Sequence, residues 1–452
     1  MRSQRFLSIL FLLFVLAACS AKQIQQTKGI QKQYVVANAP NHSYEIYFPA
    51  GYDSTKTYPV IFSFDSHGSG STAIAGFKHG ADRFGFIIIG SNLIKNGISE
   101  YDKHISELVT DVRNRFPVDN KAIFMAGFSG GARMANYYGL QNQCAGVISC
   151  GAGFRQKDIQ STGIQIYIYN IAGTRDCNFG ETAYLPGSTE CYAPKYVSRQ
   201  FIGTHEWPTI PVLTEAVEFM YVRLVLDKIR EENEVSLSVI LKEKDAEIDS
   251  IKETGNKLEL YKKIEITSKM FAGNSAGNDF AEKLTTMDKD DAFKASLIPM
   301  QQALQMETMI DQGYVSAMND ESIAWWTREL KALNDSTKSN KKGEMIDMMF
   351  RVKGYIGLIC FSVTSNAAKK KDIAQLEKVL TIYEMAEPKN PDVFYYKAFD
   401  AFLNKQKDRI KLNMEKAYNL GFDDSVRFRS DFPADVVSQI GWKQSSKKGS
   451  IK

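Results

Sequence analysis

The chain has 452 residues, of which 44% are hydrophobic and 24% are charged, the proportions of an ordinary globular protein. At this length we expect two or three domains with large cores. The 56 basic and 52 acidic residues nearly balance, so charge gives no reason to expect nucleic acid as a partner.

The first 18 residues have the composition of a secretory signal peptide. Arg2 and Arg5 precede the apolar residues 6–15, a segment too short to span a membrane. The Leu-Ala-Ala-Cys sequence that ends at Cys19 resembles a bacterial lipobox, which implies cleavage before Cys19 and lipidation of its thiol. We therefore expect an exported, lipid-anchored protein of the bacterial cell envelope, at the outer membrane in a Gram-negative cell. The alternative is an ordinary signal peptide with a cysteine nearby.

The pattern of elements predicts a domain boundary near residue 230. Residues 19–33 are polar and are interpreted as a flexible tether, and residues 34–230 alternate between strands and helices. Strands are expected at Ser43–Phe48, Pro59–Phe64, Phe86–Ile89, Ala122–Ala126, Gly146–Cys150, Ile164–Tyr169 and Gln200–Gly203. Helices are expected between them at Ile74–Phe84, Tyr101–Arg115, Gly130–Leu140 and Pro211–Leu226. This alternation favours an open, mostly parallel α/β sheet.

Residues 231–443 are predicted to form an all-helical domain. Within it, residues 240–268 are interpreted as a solvated helix face, and Asn334–Gly343 as a polar linker. The segments from Ile373 to Phe422 resemble tetratricopeptide repeats, with an irregular helical bundle as the alternative. Residues 444–452 are expected to be a disordered tail.

A serine flanked by glycines is the main chemical signal. The segment from Gly127 to Gly131 reads Gly-Phe-Ser-Gly-Gly, follows a predicted strand and precedes a predicted helix. A strand–serine–helix order of this kind is typical of a nucleophile elbow, in which glycines two positions either side avoid a clash. Ser129 is therefore the candidate nucleophile.

A serine nucleophile needs a base and an acid that orients the base. His205 follows the last predicted strand, and Asp176 follows the strand before it, so both lie at the carboxyl edge of the sheet. For Asp176 the alternative is a helix cap or turn residue. The chain order Ser129, Asp176, His205 is the order that α/β-hydrolases use. His42, His79 and His104 have no motif around them and are expected at the surface.

Residues 40–230 resemble the α/β-hydrolase superfamily, in particular small esterases related to feruloyl esterases and polyhydroxybutyrate depolymerases. The matching motifs are Pro59–Phe64 with His67-Gly68, the elbow at Ser129, Gly173-Thr-Arg-Asp176, and Gly203-Thr-His205-Glu-Trp-Pro208. An oxyanion hole is expected from the backbone N–H of Gly130 and a second N–H near Gly68 or Ser69. The resemblance implies a structural role for His67, which Asp65 orients unless that carboxylate only stabilises the turn. Trp207 is interpreted as a packing residue rather than a platform for substrate.

An oxidising compartment suggests a disulfide between Cys177 and Cys191, which are 14 positions apart in a loop-like stretch. No metal or cofactor is expected, because the cysteines and histidines lack metal-binding spacing. Residues 177–198 are expected to form one wall of an open substrate cleft.

The sequence thus predicts a lipid-anchored serine hydrolase, most simply a carboxylesterase. The expected partners are an ester substrate such as an acylated polysaccharide, the membrane through the lipid anchor, and a protein recruited by the helical domain. The alternatives are a serine peptidase of the same fold and a non-catalytic binding or scaffold lipoprotein that acts through the helical domain.

Overall fold

The computed structural model describes residues 29–154, 165–182, 195–338, 343–422 and 424–441. The signal peptide, Cys19, Cys191 and the tail 444–452 lie outside these residues. Within them, an eight-stranded sheet with flanking helices is followed by a long helical region. None of the helices in this described part is long and apolar enough to cross a lipid bilayer.

The strands are β1 (Ile30–Val36), β2 (Ala39–Phe48), β3 (Tyr58–Phe64), β4 (Ile87–Ser91), β5 (Val118–Phe128), β6 (Gly146–Cys150), β7 (Tyr167–Gly173) and β8 (Tyr196–Phe201). The helices of the sheet domain are α1 (Gly70–Ala75), α2 (Lys78–Phe84), α3 (Tyr101–Arg115), α4 (Gly130–Gln141), α5 (Phe179–Thr182) and α6 (Ile210–Leu226). The predicted helix Ile74–Phe84 is therefore two short helices, α1 and α2.

The sheet has the strand order β1-β2-β4-β3-β5-β6-β7-β8. The first two pairings, β1 with β2 and β2 with β4, are antiparallel, and the pairings from β4 to β8 are parallel. This mostly parallel order with helical crossovers is the α/β-hydrolase architecture, so the predicted fold class is confirmed. All the parallel strands therefore end at one edge of the sheet, where loops carry function.

Both faces of the sheet are covered. Along β3, Ile61 packs toward α1, α2 and α6, while Val60 and Phe62 pack toward α3 and α4. Every residue of β3 is buried, as a strand between two helical layers should be.

Three of the strands differ from the predictions. β1 begins at Ile30, inside the predicted tether 19–33. Its residues are mostly polar and exposed, as in an edge strand, so no apolar run marks it in the sequence. Residues 165 and 166, which were predicted to be in a strand, precede β7, which begins at Tyr167, and β8 begins at Tyr196 and not at Gln200.

The helical region contains α7 (Leu237–Glu253), α8 (Lys257–Met270), α9 (Ser275–Met287), α10 (Asp291–Asp320), α11 (Ile323–Thr337), α12 (Glu344–Lys370), α13 (Ile373–Ala386), α14 (Pro391–Leu403), α15 (Lys407–Leu420), α16 (Ser425–Asp431) and α17 (Ala434–Ile440). The helices from α10 to α16 share one apolar core, and α11 continues to Thr337, into the predicted linker. The tetratricopeptide resemblance of α13 to α15 stays a prediction.

The helical region packs directly on the sheet domain. The core that contains α6 also includes Ile240 of α7, Ile266 and Met270 of α8, and Phe271, which directly follows α8. Charged groups are buried in the same contact: Lys244 is 3% exposed, and its Nζ lies 2.6 Å from a carboxylate oxygen of Glu218.

Candidate functional site

Ser129 stands between β5, which ends at Phe128, and α4, which begins at Gly130. Its backbone has φ 54° and ψ −120°, a conformation that a non-glycine residue adopts only under strain. The backbone N–H of Ser129 donates to the carbonyl oxygen of Cys150 at 2.9 Å, which ties the turn to the end of β6. The side chain is partly exposed at the carboxyl edge of the sheet.

The glycines around Ser129 are required by close approach. A Cβ on Gly131 would overlap the carbonyl oxygen of Phe64, and a Cβ on Gly127 would lie 2.5 Å from the carbonyl carbon of Gly131. A Cβ on Gly130 would overlap the side-chain oxygen of Asn96. The predicted steric reason for these glycines is borne out on both sides of the serine.

The structure brings together Ser129, His205 and Asp176. His205 Nε2 lies 2.9 Å from Ser129 Oγ, and His205 Nδ1 lies 2.8 Å from Asp176 Oδ1. With the proton on Nδ1, the imidazole donates to the carboxylate and accepts from the serine hydroxyl. This is the arrangement that lets an imidazole remove a proton from a serine as it attacks.

Asp176 is held in place by its own loop. The side chain is 1% exposed, and Oδ1 also accepts from the backbone N–H of Asn178 at 2.8 Å. The Asn178 side chain in turn donates to the carbonyl oxygen of Gly151 at 2.8 Å. Because this carboxylate is fixed by hydrogen bonds, it can fix the imidazole.

The loop after β8 is tied to the loop after β3 by a contact that the sequence did not predict. Trp207 Nε1 donates to Asp65 Oδ2 at 2.9 Å, while its ring packs against Phe77 and Phe128. Burial alone raises the pKa of Asp65, but hydrogen bonds from His67 and Trp207 outweigh burial and hold the pKa below its usual range. Trp207 is thus a packing residue, as predicted, with a polar anchor besides.

The oxyanion candidates differ in availability. Gly130 is the first residue of α4, so its N–H has no acceptor within the helix. Gly68 has φ 76° and donates its N–H to the Asp65 carbonyl oxygen at 3.0 Å, which leaves Ser69 as the candidate of the two. Ser69 caps α1 through its side chain. The loop after β4 lies against this region, since the Asn96 N–H donates to the Ser66 carbonyl oxygen at 2.9 Å.

Helix α12 contacts the loop that carries Asp176. Arg351 is fully buried and donates from Nη1 to the carbonyl oxygen of Thr174 at 2.8 Å. Its Nε donates to Glu307 of α10 at 2.7 Å. One residue further along the loop, Arg175 Nε donates to Asp347 of α12 at 2.7 Å.

Of the other histidines, His67 has a side chain that is 74% exposed, and His79 and His104 are also solvent-accessible. The expectation of a surface position is wrong for His42, which is fully buried. Burial and repulsion from His104 lower the pKa of His42 to about 4, despite the opposing influence of Glu107 and Asp111.

Burial raises the pKa of the Cys177 thiol to about 12. Cys177 lies against Gly354 of α12, where a Cβ on the glycine would be 3.2 Å from the Cys177 Cβ. Cys191 and most of the predicted cleft wall at residues 177–198 lie outside the described residues, so the bridge stays a prediction.

Two groups of side chains in the described ranges have potential ligand atoms within 4.8 Å of one another: Asp176 with Cys177 and His205, and His42 with His104 and Glu107. The first group is the candidate site itself, where the hydrogen bonds already account for its geometry. A cleft of about 1160 Å³ between the two regions is lined by Thr174 and Ile202 but, among the described residues, not by Ser129 or His205.

No protein-family model and no curated protein sequence matches this chain. Solved structures do show similarity. One is the S-formylglutathione hydrolase from Staphylococcus aureus, with 15% identity, 43% of this chain and 98% of that chain covered, and a TM-score of 0.34. Another is a mutant of the feruloyl esterase module from Clostridium thermocellum complexed with sinapinate, with 14% identity, 44% and 88% covered, and a TM-score of 0.34. A ferulic acid esterase has 16% identity, 43% and 98% covered, and a TM-score of 0.35.

Proposed function

We propose that this protein is a serine hydrolase, specifically a carboxylesterase, with Ser129 as nucleophile, His205 as general base and acid, and Asp176 as the orienting carboxylate. The observation that carries the proposal is the continuous hydrogen-bonded chain from Ser129 Oγ through His205 to Asp176, with distances of 2.9 and 2.8 Å. The strained backbone of Ser129 supports the same assignment, because strain of this kind persists where the fold over-determines it.

The reaction has two halves. In the first, Ser129 Oγ attacks the ester carbonyl carbon while its proton passes to His205 Nε2, and the alcohol leaves with that proton. The product of this half is an acyl group in ester linkage to Ser129. In the second, His205 removes a proton from water, the resulting hydroxide attacks the acyl carbon, and Ser129 recovers its proton as the acid leaves. Asp176 stabilises the imidazolium that forms in each half.

Negative charge on the carbonyl oxygen is accommodated by backbone donors. The Gly130 N–H lies at the start of α4, where the helix dipole also favours negative charge. The second donor is the N–H of Ser69, since the N–H of Gly68 is engaged with Asp65.

The substrate class that fits is an ester carried on a bulky or polymeric molecule, such as an acylated polysaccharide. The support is access: His205 is exposed and Ser129 partly exposed, so a large substrate can reach the hydroxyl. An exported location adds to this, because polysaccharides lie outside the cytoplasm.

The protein acts in the cell envelope, held to a membrane by lipid on Cys19. The support is the signal sequence with its lipobox-like ending. In a bacterial host, metabolic labelling with a palmitate analogue should mark the wild type and not Cys19→Ala. Equal labelling of both would contradict lipidation at Cys19.

Hydrolysis of p-nitrophenyl acetate, compared with a peptide p-nitroanilide, tests the proposed activity. We expect turnover of the ester to exceed that of the anilide, and to fall about 10³-fold or more in Ser129→Ala. Preferential cleavage of the anilide would favour a peptidase. No turnover of either substrate by the wild type would favour the non-catalytic lipoprotein.

A further inference from the structure

A second cluster of chemistry-bearing side chains lies at the same edge of the sheet, outside the serine site. His42 is on β2, and His104 and Glu107 are on α3. Their ligand atoms lie within 4.8 Å of one another, and His104 Nδ1 is 3.2 Å from Glu107 Oε2. The rings of His42 and His104 are nearly perpendicular, with centroids 6.2 Å apart.

His42 provides an independent observation. Its side chain is fully buried, its Nε2 lies 2.9 Å from Ser91 Oγ, and its Nδ1 has no hydrogen-bond partner. A buried polar nitrogen without a hydrogen-bond partner destabilises the fold. Metal binding at Nδ1 requires the tautomer in which Nε2 carries the proton, so that Ser91 Oγ accepts from Nε2 in addition to the backbone N–H groups of Leu93 and Ile94.

We propose that His42, His104 and Glu107 bind one Zn²⁺ ion. Two imidazole nitrogens and one carboxylate oxygen form a donor set that suits zinc, which bonds nitrogen at about 2.0–2.1 Å and carboxylate oxygen at about 2.0–2.2 Å. Calcium and magnesium prefer sites made of oxygen alone. Three protein ligands leave one tetrahedral position for water.

The ion can enter from solvent. The side chains of His104 and Glu107 are 26% and 32% exposed, so they can rotate to bind an ion from the solvent side. His42 is fully buried and would bind the same ion from the protein side. The site joins β2 to the first turns of α3. His42 contacts Ser91, and His104 lies just after Tyr101, so the site lies at both ends of the segment between Ser91 and Tyr101.

The segment between Ser91 and Tyr101 contacts the residues around the proposed oxyanion hole. Asn96 donates its N–H to the Ser66 carbonyl oxygen, its side-chain oxygen approaches Gly130, and Lys95 packs at Gly68. Bound zinc would therefore restrict the motion of the segment between Ser91 and Tyr101, which contacts the loop after β3 and the start of α4. This consequence rests on the proposed function, whereas zinc binding itself does not.

Calorimetric titration of the metal-stripped, full mature protein with ZnCl₂ tests the site. All proteins carry the His205→Ala substitution, which removes zinc binding at the serine site. We expect one saturable site per chain and at least about tenfold weaker binding in His104→Gln and in Glu107→Gln, whose side chains are exposed enough for the variants to fold. His79→Gln, which alters an exposed histidine elsewhere, is the matched control and should bind zinc as the parent does.

Thermal unfolding gives a second readout, because a ligand that binds the folded state raises Tm by an amount that grows with the ratio of its concentration to its Kd. Zinc should raise Tm of the parent and of His79→Gln more than that of His104→Gln. Absence of saturable binding in the parent, or equal binding in the parent, His104→Gln and Glu107→Gln, would overturn the proposal. Since binding is read without turnover, loss of esterase activity would leave this result unaffected.

Discussion

At the scale of single residues, the site depends on backbone strain at the serine and on hydrogen bonds between residues that are far apart in the chain. Ser129 is held with φ 54°, and the glycines beside it leave room that no side chain can share. These requirements are local, so the sequence predicted them. The bond from Trp207 to Asp65 joins residues 142 positions apart, and neither of the motifs that contain them indicates the other as its partner. Its detection required the tertiary structure.

Gly131→Ala should destabilise the fold and reduce esterase activity. The added Cβ would overlap the Phe64 carbonyl oxygen, and overpacking of this kind costs about 1–3 kcal/mol. The free energy of unfolding, measured by urea titration, is the readout. Gly313→Ala is the control: Gly313 lies exposed in α10 with open space around it, and alanine there should stabilise the fold by about 0.5–1 kcal/mol. Equal effects of the two substitutions would contradict the packing argument.

At the scale of elements, strands with strong apolar runs were predicted well and elements with mixed patterns were not. β1 reads Ile-Gln-Lys-Gln-Tyr-Val-Val, and its first four residues fall in the predicted tether 19–33, because an edge strand lacks the apolar run of a central one. The interpretation of residues 240–268 as a solvated face was wrong for Lys244 and Lys263. Both lysines are buried against carboxylates of α6, and Lys263 with Arg199 holds the pKa of Glu215 at about 2 even though burial opposes ionisation.

Arg351→Met tests whether α12 positions the acid loop. The substitution removes the hydrogen bond to the Thr174 carbonyl oxygen, two residues before Asp176, and leaves Glu307 buried without its partner. We expect kcat for p-nitrophenyl acetate to fall roughly 10- to 100-fold with a smaller change in KM, because displacement of the acid misorients the imidazole. The free energy of unfolding should fall by about 3–5 kcal/mol.

The control for this prediction is Arg409→Met, at an exposed arginine of α15 whose Nη1 donates to the side chain of Gln406 at the start of that helix. Its free energy of unfolding should change by less than about 0.5 kcal/mol and its kcat should not change. A folded Arg351→Met variant with wild-type kcat would show that α12 does not act on the acid loop.

At the scale of the whole molecule, the helical region packs on the sheet domain instead of forming a separate module. It shares the apolar core around α6, and α12 forms hydrogen bonds with Thr174 and Arg175, the two residues that precede Asp176. Arg351 and Thr174 are 177 positions apart, so the helical composition of this region was predictable and its docking was not.

Residues 30–230 alone should therefore fail to fold stably. Truncation exposes the surface covered by Ile240, Ile266, Met270 and Phe271, each worth about 1.5–3 kcal/mol when buried, against a total stability of 5–15 kcal/mol for a typical domain. Glu215 and Glu218 also lose Lys263 and Lys244. Near-ultraviolet circular dichroism and urea titration of the soluble fraction are the readouts. A chain ending at Gly441 is the control and should unfold as the full chain does, whereas cooperative unfolding of residues 30–230 would contradict the shared core.

Covalent labelling by a fluorophosphonate tests whether Ser129 is a nucleophile that is activated by His205, with His205 oriented by Asp176. After digestion, mass spectrometry should find one phosphonylated peptide, with the adduct on Ser129. The adduct should be absent from Ser129→Ala and should form at least about 10³-fold more slowly in His205→Ala. An adduct on another residue, no adduct on the folded wild type, or equal labelling rates in the wild type and His205→Ala would contradict the account.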